Sequence, residues 1–311
     1  MRIVVSEFMD EAALRGFDPA WEVVYDPSLV EDRDRCLATV AGADAIIVRN
    51  RTRVDASLLN AAPELRAVGR LGVGLDNIDM EACAARGVAV FPATGANALS
   101  VAEYVIATSL VLVRGAYLST EAVRAGEWPR THLVGGEVSG RNMGLLGYGG
   151  IARMVAERAR ALGMEIAAFD PHLPADDPCW SGVQRCEDAE ALFETADVLS
   201  LHVPLTPETR RLVDRDAIAR LPKGAVVINT ARGGIVDEMA LAEALRDGRL
   251  GGAALDVFET EPLDAAAGAV FEGLRNVILT PHVAGVTGEG NIRVSRMTVE
   301  NVRKALEEGN G

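Results

Sequence analysis

Three polar residues each close an apolar run in the second half of the chain. Arg232 follows residues 226–231, Glu261 follows 254–260 and His282 follows 277–281. In an open parallel sheet the carboxyl ends of the strands border the ligand crevice, so such runs deliver a cation, a carboxylate and an imidazole to one edge. An imidazole, which ordinarily titrates near neutrality, can give or take the proton of a hydroxyl whose carbon exchanges a hydride. A carboxylate on its other nitrogen would fix the tautomer and stabilise the imidazolium. A guanidinium presents a planar fork to a substrate carboxylate and steadies developing alkoxide charge. The set suits reversible hydride transfer at the hydroxyl-bearing carbon of a 2-hydroxy acid.

Hydride transfer needs a carrier. Gly147, Gly149 and Ala152 form a G-x-G-x-x-A fingerprint between an apolar run and a helical pattern. Gly147 permits the tight turn, Gly149 and Gly150 let the backbone approach a pyrophosphate, and Ala152 keeps helix and sheet close. The helix then opens at Ile151 with unpaired N–H groups facing the diphosphate. Asp170 lies 23 residues after Gly147, at the end of the next apolar run. A carboxylate there accepts from ribose hydroxyls and repels a 2′-phosphate, which favours NAD over NADP.

The elements that must position these groups alternate between strand and helix. Val/Ile/Leu/Ala-rich runs at 2–7, 45–49, 65–70, 88–92, 142–146, 165–169, 198–201, 225–229, 253–257 and 277–279 read as buried parallel strands. Helical patterns lie between them, for example 151–162 and 238–246. Residues 68–79 and 144–161 each resemble the first strand–turn–helix unit of a doubly wound lobe, so 311 residues divide into two α/β lobes. A helix from Ser100 to about residue 118, with Ser100 as N-cap and Glu103 at capping-box spacing, reads as the crossing between them. The chain returns to the first lobe near the glycine-rich stretch 285–290.

A net charge of −14 disfavours nucleic acid and anionic membrane as partners. No apolar run has the length of a membrane span, and the start lacks the pattern of a signal peptide. Cys36, Cys83, Cys179 and Cys186 form no CxxC pair, which reads as reduced thiols in the cytoplasm. No His/Cys/carboxylate group has metal-ligand spacing.

Residues 147–152, 202–206, 229–237, 254–262 and 280–284, with 68–79 and 95–103, together resemble the D-isomer-specific 2-hydroxyacid dehydrogenase family, in its order, over roughly 46–284. The resemblance is closest to the phosphoglycerate dehydrogenase branch. It implies Arg232, Glu261 and His282 as the catalytic set. It implies a Rossmann NAD-binding domain (97–286) inserted into a split flavodoxin-like substrate domain (1–96 and 287–311). NAD contacts are expected from Gly147, Gly149, Gly150, Ile151, Asp170, His202, Pro204, Thr209, Thr230, Ala231, Arg232, Asp256, His282 and Ala284. A homodimer through the helix near Ser100 is implied as well. Ala152 for glycine, Tyr148 for a small aliphatic residue, and the pair Ala93–Thr94 depart from the family's usual pattern.

The expected substrate contacts are Gly72, Val73 and Gly74, whose consecutive N–H groups make an anion nest, with Asn97, Arg232 and His282. Arg49, Arg51 and Arg53 crowd into one strand end, and Arg70 adds a fourth cation. Arg49 and Arg70 match the branch's phosphate-binding arginines, and side chains that alternate along a strand cannot all point inward. Phosphate, sulfonate and carboxylate all fit as the distal anion. The resemblance puts 3-phosphoglycerate first, with 3-sulfolactate as the rival and glyoxylate or hydroxypyruvate reduction as a further enzymatic alternative. The non-enzymatic alternative is an NAD-sensing corepressor-like protein. The chain stops about 20 residues after its return to the first lobe, which leaves no room for a serine-sensing regulatory domain.

Overall fold

The computed structural model describes residues 1–308. The chain divides into two compact units: Met1–Asn97 with the segment from Val286 onward, and Ala98–Gly285.

The first unit is a five-stranded parallel sheet of β1 (Arg2–Val5), β2 (Glu22–Tyr25), β3 (Ala45–Val48), β4 (Ala67–Arg70) and β5 (Ala89–Pro92), in the order β2-β1-β3-β4-β5. This is the flavodoxin-like order, and its switch point lies between β1 and β3. Side chains alternate across a strand, and here each face is apolar. Ile3, Val5 and Ile47 pack with Val294, Val299, Val302 and Leu306 of the helix Gly288–Glu308. Val4, Ile46, Val48 and Val68 pack with Cys36, Val40, Leu58 and Leu59 from helices on the other face. Fully burying one such side chain contributes about 1.5–3 kcal/mol. Gly69 sets how close the final helix comes: a Cβ there would sit 2.6 Å from Val302 and 2.7 Å from Thr298.

The second unit is a seven-stranded parallel sheet. Its strands are β6 (Asn142–Leu146), β7 (Glu165–Phe169), β8 (Gln184–Arg185), β9 (Val198–Leu201), β10 (Ala225–Asn229), β11 (Leu250–Leu255) and β12 (Val277–Leu279). Their order is β12-β11-β10-β9-β6-β7-β8, so this switch point lies between β6 and β9. The helix Gly150–Ala161 follows β6 and packs Ala152, Val155, Ala156 and Ala159 into the core.

The two-lobed parallel architecture is the one expected. Two strands escaped the sequence reading, β2 and β8, both at sheet edges. β2 is at most half-buried and β8 is two exposed residues, so neither carries a continuous apolar signature. β11 starts at Leu250 rather than 253, because Gly251 and Gly252 are strand residues. A Cβ on Gly252 would press on Leu112 at 2.9 Å and on the Asn276 carbonyl at 3.1 Å.

The helix expected from Ser100 starts at Ala98 and ends at Arg114. Ser100 is therefore buried inside the first turn and does not cap it. The reading failed because Ala98-Leu99 already continues the apolar periodicity, so the capping-box spacing falls inside the helix. Among the described residues, seven other α-helices are capped by the side chain of an aspartate: Asp32, Asp55, Asp79, Asp188, Asp214, Asp237 and Asp264.

Candidate active site

In the second unit, the residues expected to do chemistry lie at the carboxyl edge of the sheet. Arg232 is three residues beyond β10, Glu261 six beyond β11 and His282 three beyond β12. His282 Nδ1 and Glu261 Oε2 are 2.8 Å apart. The other carboxylate oxygen, Oε1, accepts from the Phe258 N–H at 3.1 Å. Partial burial pushes the Glu261 pKa up, but the His282 bond, the Phe258 N–H and the charges of His282 and Arg232 outweigh it and leave the carboxyl below its ordinary value. Nδ1 is thus committed to the carboxylate, and Nε2 is the ring nitrogen left for a substrate.

His282 has φ 55°, a left-handed conformation that a non-glycine residue adopts only when its surroundings impose it. Asp256, 1% exposed at the end of β11, imposes it. Its Oδ1 accepts from Thr280 Oγ1 at 2.6 Å and the Val283 N–H at 2.8 Å, and its Oδ2 accepts from the Ala284 N–H at 2.8 Å. The His282 N–H donates to the Asp256 carbonyl at 2.8 Å, and Tyr104 Oη lies 2.7 Å from Thr280 Oγ1. The sequence pointed to Asp256 as a cofactor contact. Its carboxylate also anchors the turn that carries the histidine.

The turn carrying Arg232 has a similar anchor, which the sequence reading missed. Buried Asn229 accepts from the Ala231 N–H at 3.0 Å and donates to the Arg232 carbonyl at 2.9 Å. Asparagine ending a buried apolar strand was the available signal. Gly233 then lies against the next loop, where a Cβ would be 1.7 Å from the Phe258 carbonyl oxygen. That close approach brings the arginine turn against the segment that carries Glu261.

A dinucleotide cradle occupies the switch point. Gly147 has φ 86°, and a Cβ there would approach the His202 carbonyl to 2.7 Å. Gly149 caps the helix Gly150–Ala161 without a side chain, and a Cβ on Gly149 or Gly150 would meet nothing within 4 Å. Open space before uncapped N–H groups is what a diphosphate requires. Tyr148, the departure inside the fingerprint, turns away: its ring is buried and stacks on Trp180 at 5.2 Å. Asp170 ends β7 and accepts from the Tyr148 and His172 N–H groups, both at 2.9 Å. Thr230 Oγ1 is buried with no hydrogen-bond partner among the described residues. His202 Nε2 lies 2.9 Å from Ser200 Oγ, and burial brings its pKa down to about 4, so the ring is neutral at pH 7. Thr209 closes the turn after Pro204 by donating to the Pro204 carbonyl at 2.6 Å. These residues fit NAD.

The first unit carries a separate group at its own switch point, beyond β1, β3 and β4. Of the three neighbouring arginines, only Arg49 is half-buried. It donates to Asn291 Oδ1 at 2.6 Å, with its guanidinium over the Phe8 ring at 5.7 Å. Arg51 forms a two-pronged pair with Glu31 at 2.7 and 2.9 Å, and Arg53 is exposed. Arg70 donates to the Leu71 carbonyl at 2.9 Å and lies across Gly72 (φ 140°), where a Cβ would be 1.7 Å from its Nη1. The expected nest is shorter than the sequence suggested, since the Gly72 N–H already donates to the Arg70 carbonyl at 2.8 Å. The N–H groups of Val73 and Gly74 remain for an anion. Asn97 Oδ1 is buried without a hydrogen-bond partner among the described residues. Neither Asn291 nor Glu7, which organises the Arg49 turn, was singled out from the sequence. For Glu7 the signal was a charge directly ending an apolar strand.

The family model for the D-isomer specific 2-hydroxyacid dehydrogenase, NAD binding domain, matches residues 106–284. The chain belongs to this family. It is 57% identical, over 98% of both chains, to the (S)-sulfolactate dehydrogenase of Chromohalobacter salexigens. It is 37% identical to the D-3-phosphoglycerate dehydrogenase of Methanocaldococcus jannaschii, over 98% of this chain and 57% of that one. Among solved structures, a glyoxylate reductase from Paecilomyes thermophila matches with a TM-score of 0.85 and 28% identity, covering 99% of this chain and 96% of that one. The chain is therefore an NAD-dependent oxidoreductase acting on 2-hydroxy acids. Among the described residues no helix is long and apolar enough to cross a membrane, and no group of acidic, histidine or cysteine side chains is arranged to hold a metal.

Proposed function

We propose that this enzyme interconverts 3-sulfolactate and 3-sulfopyruvate. The observation that carries the proposal is the 57% identity, end to end, with a sulfolactate dehydrogenase. It moves the sulfonate ahead of 3-phosphoglycerate, the acid that the branch resemblance favoured. 3-Phosphoglycerate stays the second reading, because Arg49 and Arg70 suit either distal anion and a phosphoglycerate dehydrogenase is also similar to this chain.

In the oxidation, the substrate's C2–H bond breaks and its electron pair leaves as hydride, while the hydroxyl proton goes to His282 Nε2 and the C2=O bond forms. NAD, when bound, supplies the hydride acceptor. It would be held by Gly147, Gly149, Gly150 and Ile151 at the diphosphate and by Asp170 at the ribose. Further contacts come from His202, Pro204, Thr209, Thr230, Ala231, Asp256 and Ala284. Glu261 keeps Nδ1 protonated and stabilises the imidazolium that results. Arg232 grips the C1 carboxylate and the reacting oxygen. The Val73 and Gly74 amides, in the turn that Gly72 shapes, hold the carboxylate with Asn97, and Arg49 and Arg70 take the sulfonate. We place the enzyme in the cytoplasm as a homodimer.

NADH oxidation followed by absorbance, with sulfopyruvate, phosphohydroxypyruvate, hydroxypyruvate, glyoxylate and pyruvate, tests the assignment. Sulfopyruvate should exceed pyruvate at least a hundredfold in kcat/KM, about 2.7 kcal/mol of transition-state discrimination. Phosphohydroxypyruvate ahead of sulfopyruvate would establish the second reading. Absence of turnover with every acid would return the corepressor-like alternative.

A further inference from the structure

Glu7 lies two residues beyond β1 and is only 4% exposed. Its carboxylate takes three backbone N–H groups of the turn after β3. Oε1 accepts from Arg49 at 2.8 Å and Thr52 at 2.9 Å, and Oε2 accepts from Arg51 at 3.2 Å. Buried Ser6 Oγ lies 3.0 Å from Thr52 Oγ1, and the Ser6 N–H donates to the Ile47 carbonyl at 3.1 Å, which ties the same turn to the strand ends. A buried carboxylate is costly unless satisfied, and this one is satisfied by wrapping the backbone that bears Arg49.

The far end of Arg49 is fixed as well. Its guanidinium donates to Asn291 Oδ1 at 2.6 Å and lies over Phe8. Burial lowers the arginine's pKa, and the Glu7 charge opposes that shift. The switch point between β1 and β3 is also where a sheet of this order offers its ligand crevice. A preorganised guanidinium gives up less conformational freedom when it binds an anion.

We infer that Glu7 and Asn291 are positioning residues that hold Arg49 as a preformed receptor for the distal anion, and so set the enzyme's preference for acids that carry one. The inference rests on the reading that Arg49 meets that anion. Only an acceptor-only group satisfies all three N–H groups at Glu7. A glutamine would turn its own NH2 toward one of them.

The test is the ratio of kcat/KM for the preferred distal-anion acid, sulfopyruvate first, to that for pyruvate, which lacks the distal anion. In Glu7→Gln and in Asn291→Ala this ratio should fall at least tenfold, chiefly through a higher KM for the anionic acid. Glu7→Asp, which keeps both oxygens, should recover part of it. In an Arg49→Gln background, adding either substitution should change the ratio less than twofold. A merely structural role would lower both substrates together and leave the ratio unchanged, which overturns the inference; so does a further fall without Arg49. Asn291→Ala decides alone if Glu7→Gln does not fold, since alanine suits its helix. A wild-type ratio near one removes the distal-anion reading, and this inference with it. A high wild-type ratio that the variants leave untouched removes only the inference.

Discussion

Glu261 shows how one residue's surroundings decide its role. The His282 ring, the Phe258 N–H and the nearby Arg232 charge all favour its ionised form over the burial that opposes it. The consequence is that Nδ1 carries the proton and Nε2 accepts one from a substrate hydroxyl. Glu261→Gln should lower kcat by about a hundredfold or more with little change in NAD affinity, since general acid–base groups contribute on the order of 10²–10⁴. Stopped-flow turnover alongside a fluorescence titration of NADH checks this, and an undiminished kcat would remove Glu261 from the mechanism. His202 leads to a pH prediction of the opposite kind. Its folded pKa of about 4 lies below the ordinary imidazole value of 6.5. The unfolded chain therefore binds the proton first, and stability is complete above about pH 6.5 and erodes as pH falls toward 4. By pH 5 the loss from this one ring is about 2 kcal/mol. Urea midpoints at pH 7.5 and pH 5 should differ less in His202→Gln than in the wild type. An equal difference in both would mean that His202 is not the source.

At the scale of elements, glycines divide into those that let backbone meet backbone and those that leave room for a ligand. Gly233 is of the first kind, since a Cβ would overlap the Phe258 carbonyl. Gly233→Ala should cost about 1–3 kcal/mol, the usual range for overpacking, which is a fall of roughly 2–12 °C in Tm for a unit of this size. It should also lower kcat, because the segment that yields carries Glu261. Gly149 is of the second kind: a Cβ there meets nothing. Gly149→Ala should leave Tm of the apoprotein within about 1 °C and raise the Kd for NADH about tenfold. The reverse pattern, read by differential scanning fluorimetry and titration, would overturn the division. Most of this level was legible in the sequence, because parallel strands buried on both faces write continuous apolar runs, and the polar residues shortly beyond three of them lie at the carboxyl edge of the sheet. Edge strands β2 and β8 were not legible, since β2 is at most half-buried and both residues of β8 are exposed. The true start of the helix Ala98–Arg114 was not legible either, because a serine–glutamate pair occurs inside helices as well as before them. Asn291 was invisible for a different reason: 242 residues separate it from the arginine it contacts, and no local pattern encodes that meeting.

At the scale of the whole molecule, a net charge of −14 and an anionic substrate are compatible because the acidic residues are spent elsewhere. Among the described residues aspartates cap seven of the α-helices, and Glu31, Glu243 and Glu194 pair with surface arginines, whereas Arg49, Arg70 and Arg232 are half-buried at the carboxyl edges of their sheets. The stretch beyond the helix Ala98–Arg114 bears on assembly. Tyr117, Val123, Trp128 and Val134 are 67%, 45%, 80% and 85% exposed, and the other residues of the segment 119–134 are exposed or at most half-buried. A hollow of about 530 Å³, lined by Leu112, Arg114, Pro129, His132 and Val134 among others, opens beside it. Monomers seldom expose large apolar side chains in such a cluster. On the helix itself Glu103, Ala107 and Leu110, at helical spacing, are exposed as well. A second copy related by a two-fold axis would cover the cluster with its own equivalent, because a self-complementary patch is what two-fold symmetry requires. Light scattering after size exclusion should therefore give twice the 32.9 kDa chain mass at micromolar concentration. Trp128→Glu combined with Val134→Glu should shift the mass toward that of one chain, while circular dichroism and NADH binding stay those of the folded protein. A wild-type chain that runs at 32.9 kDa would show that this surface has some other use.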